Sequence, residues 1–185
     1  MRLFLALEIP ESVRSRLVQL QGDLPGKLKL VEPQNIHITL KFLGEVAEPR
    51  AADVRGALAP LETPAFGAGA TGFGVFPGPG NPRVLWAGMG RGAAEAAALS
   101  REVDGRLAPL GFPREKRFVP HATLARVKFM DGAGKARLRA LLEARRGSVF
   151  GEWRVGTVAL KKSTLTPAGP LYSDVEVFPL ASKDS

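Results

Sequence analysis

The phrase His-x-Thr-Leu occurs twice, as His37-Ile38-Thr39-Leu40 and as His121-Ala122-Thr123-Leu124, and the chain contains no other histidine. Each phrase opens an apolar, strand-like run, and the two lie 84 residues apart, close to half of the 185-residue length. Side chains alternate along a strand, so His37 and Thr39 share one face while Ile38 and Leu40 share the other. The same parity sets His121 and Thr123 against Ala122 and Leu124. A chain that spells this strand twice is expected to be a duplicated unit, with equivalent strands placed around a pseudo-twofold axis. His37 and His121 would then face one cleft from opposite sides.

The remaining pattern supports a duplicated plan. Residues 2–9 read as a buried strand, and Val13, Leu17 and Leu20 give helical spacing through about residue 21. Residues 27–31 alternate like a half-exposed strand, and the first motif occupies 36–43 before Gly44. A helix is expected over 48–59 and a Gly-rich strand over 66–76. Pro77-Gly78-Pro79-Gly80 then punctuates the chain and reads as a lobe boundary. In the second half a strand at 83–89, a helix at 92–108, a motif strand at 118–128 and a basic helix at 134–146 follow. A closing hairpin pairs 155–165 with 171–178 around Pro167-Ala168-Gly169-Pro170. The fold class expected is α+β: two pseudo-symmetric lobes, each a mainly antiparallel sheet with helices on its outer face, and a groove between them. One bilobal domain over 1–185 is expected, with an approximate repeat of 1–78 and 82–180.

Composition narrows the partners. The net charge of +8 and pI near 10.3 favour an anion, and Arg, the better bidentate partner for phosphate, outnumbers Lys by 17 to 9. Cysteine is absent, which excludes disulfides, thiolate zinc sites and cysteine nucleophiles and fits a cytoplasmic protein. No apolar run approaches the ~20 residues of a membrane span, and the apolar start is short enough to read as a strand and not a signal peptide. Nothing reads as a self-complementary apolar stripe, so a monomer is the expectation.

Two imidazoles and two hydroxyls around one centre match a phosphoryl group. Threonine hydroxyls donate to non-bridging oxygens; one histidine activates the attacking oxygen while the other protonates the leaving oxygen. In-line displacement separates attacking and leaving groups across phosphorus, which suits an acid and a base on opposed strands. No metal or other cofactor is required. A metal site is the competing use of two histidines, with Asp174 as a conceivable third ligand, but neither motif holds an Asp or Glu. A Ser-His-Asp triad would leave one histidine and both threonines unexplained.

These motifs, with their flanks, resemble the 2H phosphoesterase superfamily, and within it the bacterial and archaeal 2′-5′ RNA ligases, also called RNA 2′,3′-cyclic phosphodiesterases. The resemblance rests on Arg2-Leu3-Phe4-Leu5-Ala6-Leu7, His37-Ile38-Thr39-Leu40-Lys41-Phe42-Leu43-Gly44 and Arg83-Val84-Leu85-Trp86-Ala87-Gly88. It continues through Pro120-His121-Ala122-Thr123-Leu124-Ala125-Arg126 and the closing Leu171-Tyr172. It implies two lobes with the site between them, and hydrolysis of RNA 2′,3′-cyclic phosphate ends, tRNA halves being one such RNA, to 2′-phosphomonoesters. Between two RNA ends the same chemistry gives a 2′-5′ linkage. It implies His37 as proton donor and His121 as acceptor, with Thr39 and Thr123 holding the phosphate.

Arg126 and Phe42 are further substrate-binding candidates, on the phosphate and on a base respectively. Strict alternation turns both away from the histidines, so Arg126 requires a bulge or a long reach, and Phe42 would stack at the groove's rim. A surface arginine and a core phenylalanine are the alternatives, and Trp86 carries the same ambiguity. Two other functions stay open: an RNA-binding module without turnover, and a phosphodiesterase of small cyclic nucleotides.

Overall fold

Five consecutive apolar residues, Leu3 to Leu7, are all buried, so the first strand is covered on both faces and lies inside a sheet. The computed structural model describes residues 1–182. The strands are β1 (Arg2–Glu8), β2 (Lys27–Leu30), β3 (His37–Glu45), β4 (Phe66–Gly78), β5 (Asn81–Met89), β6 (His121–Phe129), β7 (Val149–Val155), β8 (Thr157–Thr166) and β9 (Gly169–Pro179). They form one curled antiparallel sheet in the order β7-β4-β5-β6-β3-β1-β8-β9, with β2 also paired to β6. The helices are α1 (Glu11–Gln21), α2 (Glu48–Ala57), α3 (Ala93–Leu107) and α4 (Gly132–Ala144). The fold is α+β, as the alternation of elements predicts.

The helices cover one face of the sheet. In α1 the buried positions include Val13, Leu17 and Leu20, the spacing visible in sequence. In α3, Ala96, Leu99, Val103 and Leu107 form the inward stripe. Ile38, Leu40, Ala122 and Leu124 point into the same core, each at most 3% exposed. Burying the leucines and the isoleucine supplies roughly 1.5–3 kcal/mol each and sets strand parity, because a slip of one residue would expose the whole set. The histidines and threonines are thereby forced onto the opposite, concave face.

The duplication is written in strand register. Ala6 pairs with Thr39 as Trp86 pairs with Thr123, and Glu8 with His37 as Gly88 with His121. Beyond that point both ladders skip one residue, Leu40 in β3 and Leu124 in β6, before resuming as Leu5 to Lys41 and Leu85 to Ala125. These are equivalent β-bulges. Among the described residues, the two halves of the sheet are joined by a single β3–β6 pair, Ile38 with Ala122.

The sheet does not divide where the chain reads as dividing. Pro77-Gly78-Pro79-Gly80 is the tip of the β4–β5 hairpin, inside one half of the sheet, and not a boundary between lobes. The closing hairpin β8–β9 crosses back to pair with β1. The second motif strand begins at His121 and not at 118, since residues 118–120 are irregular. Strand β7, absent from the sequence reading, forms an edge on β4. Its alternation is broken by Gly151, where an added Cβ would come within 2.8 Å of Val13 on α1.

Helix α3 starts from Gly92, whose φ of 85° lies in the left-handed region that costs ordinary residues energy. A Cβ there would also approach the Gly67 carbonyl oxygen to 2.5 Å. Gly92→Ala is expected to destabilise the fold by about 2–3 kcal/mol, lowering the melting temperature by roughly 5–10 °C. A calorimetric scan that shows no downward shift contradicts this account of the α3 start.

Candidate active site

The pairing of Ile38 with Ala122 runs antiparallel, so continuing its register sets His37 across from Thr123 and Thr39 across from His121. All four side chains line one groove of about 630 Å³ between the halves of the sheet. The structure thus brings together the quartet expected from the two motifs.

Each histidine is held by the carbonyl two residues before it. His121 Nδ1 lies 2.7 Å from the Val119 carbonyl oxygen, which can only accept, so Nδ1 carries a proton and Nε2 is the basic nitrogen of the neutral ring. The Asn35 carbonyl is hydrogen-bonded to the His37 ring, and His37 Nε2 lies 2.9 Å from the Thr39 hydroxyl. The hydroxyl donates to Nε2 when the ring is neutral.

Aromatic side chains wall both imidazoles. His37 stacks on Phe4 at 5.1 Å and meets the edge of Tyr172 at 5.4 Å. His121 lies edge-on to Phe76 at 5.0 Å, with Trp86 at 5.8 Å. Trp86 itself fits against β4 because its partner is Gly74, where a Cβ would fall 2.2 Å from an indole carbon. Phe4, Phe76 and Tyr172 carry no signal as site residues in the sequence; what reveals them is strand register, which no local pattern encodes.

Burial lowers the His37 pKa to about 4. Its hydrogen bond to Asn35 and the charge of Glu8 oppose that shift, while Lys161 and His121 reinforce it. Lys161 is hydrogen-bonded to Glu8 and, at 2.8 Å, to Asp174. Burial works against its charge, but those two carboxylates outweigh burial and its pKa is raised. Asp174, the conceivable third metal ligand, is therefore engaged by a lysine. Among the described residues no group of three His, Cys, Asp or Glu side chains is placed to hold a metal ion. Burial also raises the Tyr172 pKa, against the charges of Arg126 and Arg2, so its phenol keeps its proton at neutral pH.

The bulges settle where Phe42 and Arg126 point. The extra residue Leu40 restores Phe42 to the groove side, where it pairs with Phe4 at 6.1 Å between ring centroids and stands 70% exposed at the rim. The extra residue Leu124 does the same for Arg126, which lines the groove near Tyr172. The bulged Leu124 carbonyl is not left unsatisfied: it accepts from the Val31 amide and from the Gln21 side chain, each at 2.9 Å. Strict alternation turns both residues the other way; one inserted residue in each strand reverses that reading.

Comparison with known proteins agrees with the geometry. The family model for LigT-like phosphoesterases matches residues 7–86 and 89–172. An Archaeoglobus fulgidus protein named RNA 2′,3′-cyclic phosphodiesterase is 38% identical over 180 residues, covering 96% of this chain and 99% of its own length. A Thermus thermophilus protein of the same name is 40% identical over 196 residues, covering 97% of this chain and 90% of its own. The crystal structure of the Thermus thermophilus protein TT0787 superposes with a TM-score of 0.81 at 34% identity, covering 99% of this chain and all of the other. No helix among the described residues is long and apolar enough to cross a membrane. With both motifs on one groove and matches spanning nearly its whole length, this chain belongs to the LigT-like family of 2H phosphoesterases.

Proposed function

We propose that this protein opens RNA 2′,3′-cyclic phosphate ends to 2′-phosphomonoesters, with His37 and His121 as acid and base. The observation that carries the reading is the pseudo-twofold quartet: two histidines and two threonines on one face, each histidine oriented by the carbonyl at position i−2. Relatives that this chain matches over nearly their full length are named for that activity.

In the reaction a water oxygen attacks phosphorus and gives its proton to His121 Nε2. The P–O3′ bond breaks opposite the new P–O bond, and O3′ takes a proton from His37. Thr39 and Thr123 hydroxyls donate to the non-bridging oxygens, and the Arg126 guanidinium balances charge growing on them. Phe42 at the rim offers a face on which a base stacks. A ribose 5′-hydroxyl in place of water yields a 2′-5′ phosphodiester by the same displacement.

The depressed pKa gives His37 a defined part in this scheme. With the groove empty it is neutral above pH 4 or so, and a phosphate anion beside it opposes the effect of burial, so His37 takes up from solvent, as the substrate binds, the proton that O3′ needs.

A 2′,3′-cyclic-phosphate oligonucleotide, incubated with the protein in excess chelator, is expected to yield the 2′-phosphate. His37→Ala and His121→Ala should each lower kcat by roughly 10²–10⁴-fold. A 3′-phosphate product, loss of activity to chelator, or turnover persisting in the double variant sinks the proposal. A 2′,3′-cyclic mononucleotide run in parallel separates RNA from small-nucleotide substrates.

Two histidines in the whole chain allow direct assignment by long-range ¹H–¹⁵N NMR, one single variant identifying each. His37 is expected to be neutral at pH 6 and to protonate near pH 4. Its folded pKa lies below the ordinary 6.5, so the unfolded chain binds the extra proton between those values. Stability is therefore full above pH 6.5 and falls as pH drops towards 4, by about 3 kcal/mol in total. His37→Asn should remove that part of the acid sensitivity. A His37 ring already charged at pH 6 in the free protein contradicts the burial argument.

A further inference from the structure

The two motif strands are equivalent, yet one position below each histidine differs in kind. Following the bulge, β6 places Ala125 in the core, fully buried; β3 places Lys41 there, 3% exposed. A buried lysine is costly unless paired and hydrogen-bonded, so its retention calls for an account. Its ammonium lies 2.6 Å from Asp104 Oδ1 on the last turn of α3, 2.6 Å from the Pro113 carbonyl oxygen and 3.8 Å from Glu115 Oε1. Asp104, 5% exposed, uses its second oxygen to accept the Glu115 amide at 2.8 Å.

Both members of the pair therefore grip residues 113–115, in a stretch, 112–120, that forms no helix or strand. That stretch is the approach to the second motif. It supplies Arg117, Phe118 and Val119 to the groove wall, and the Val119 carbonyl accepts the hydrogen bond from His121 Nδ1–H. The corresponding carbonyl for His37, that of Asn35, needs no such grip. It lies in the short 3₁₀ turn Pro33–Asn35, which is tied by the Asn35 side chain to the Pro170 carbonyl at 3.1 Å.

We propose that Lys41 and Asp104 are positioning residues for His121. The buried pair on the first motif strand anchors the 112–120 stretch, and through Val119 fixes the tautomer and aim of the histidine on the second. The catalytic consequence rests on the proposed role of His121; the positional one does not. Coupling of this kind ties completion of one half of the site to correct folding of the other.

The test is the full chain carrying Lys41→Met and Asp104→Leu together. Apolar replacement of a buried ion pair is commonly tolerated by a fold, and water reaches the released Glu115 amide on its exposed residue. NMR is expected to show His121 shifted and mixed between tautomers while His37 keeps its wild-type signals. In the same variant kcat should fall by roughly 10–100-fold, the scale of a misaligned group. An unchanged His121 tautomer overturns the proposal, as does equal disturbance of both histidines. If the double variant does not fold, Asp104→Asn, which keeps the shape but sets an amide donor against either the Glu115 N–H or the Lys41 ammonium, must still alter His121 alone. A selective His121 change with undiminished kcat upholds the anchoring and overturns the role of His121 in the proposed reaction.

Discussion

The site depends on a backbone pairing kept short. Strands β3 and β6 join where Ile38 meets Ala122, both buried on the core face, and diverge from there. On one side of the joint β2 takes over the same edge of β6 from Ala125 to Phe129, with the Val31 amide closing on Leu124; on the other, residues 118–120, which continued register would set against β3, are irregular. Backbone groups of β6 from Leu124 onward thereby find partners in β2 and Val31 without β3.

Two bulges then determine what the opened groove contains. Each inserts a leucine whose side chain stays in the core while every residue beyond it changes face. The devices are equivalent, but the residues they aim are not: Phe42 on one side, Arg126 on the other. Ala6 and Trp86 differ likewise across from the threonines. A duplicated frame with unlike fittings is what the proposed substrate, with a base in one direction and a charged phosphate in another, calls for.

Local chemistry explains how much of this is legible in the sequence. Face alternation in His-x-Thr, the Val13-Leu17-Leu20 stripe of α1 and the Pro-Gly turn before β9 are all properties of a few adjacent residues, and each is where its pattern places it. Sheet membership is not local. Nothing between 66 and 80 says that β4 pairs with β5 and β7, or that β8 returns to β1. The same holds for Phe4 and Tyr172, which become wall residues of His37 only through the β1–β3 and β8–β9 registers. Lys41 stands in the first motif phrase without a visible role, because a lysine on a strand reads as solvated until a carboxylate 63 residues away is folded against it.

Two histidines in equivalent His-x-Thr-Leu phrases end in unlike surroundings, and the proposed acid–base chemistry uses that difference. In the proposed reaction the two imidazoles start in unequal protonation states, one charged and one neutral. The motif cannot supply the inequality, since it is the same on both strands. The neighbours supply it: Phe4 and Tyr172 remove water from His37, and Lys161 adds positive charge close by. Desolvation penalises the imidazolium only while nothing anionic replaces the lost water. In the proposed reaction a phosphate held by the threonines is such a replacement, so the burial that keeps His37 neutral in the empty groove lets it charge, and then donate, once the groove is filled. On that proposal the hydrophobic wall around His37 is part of the acid.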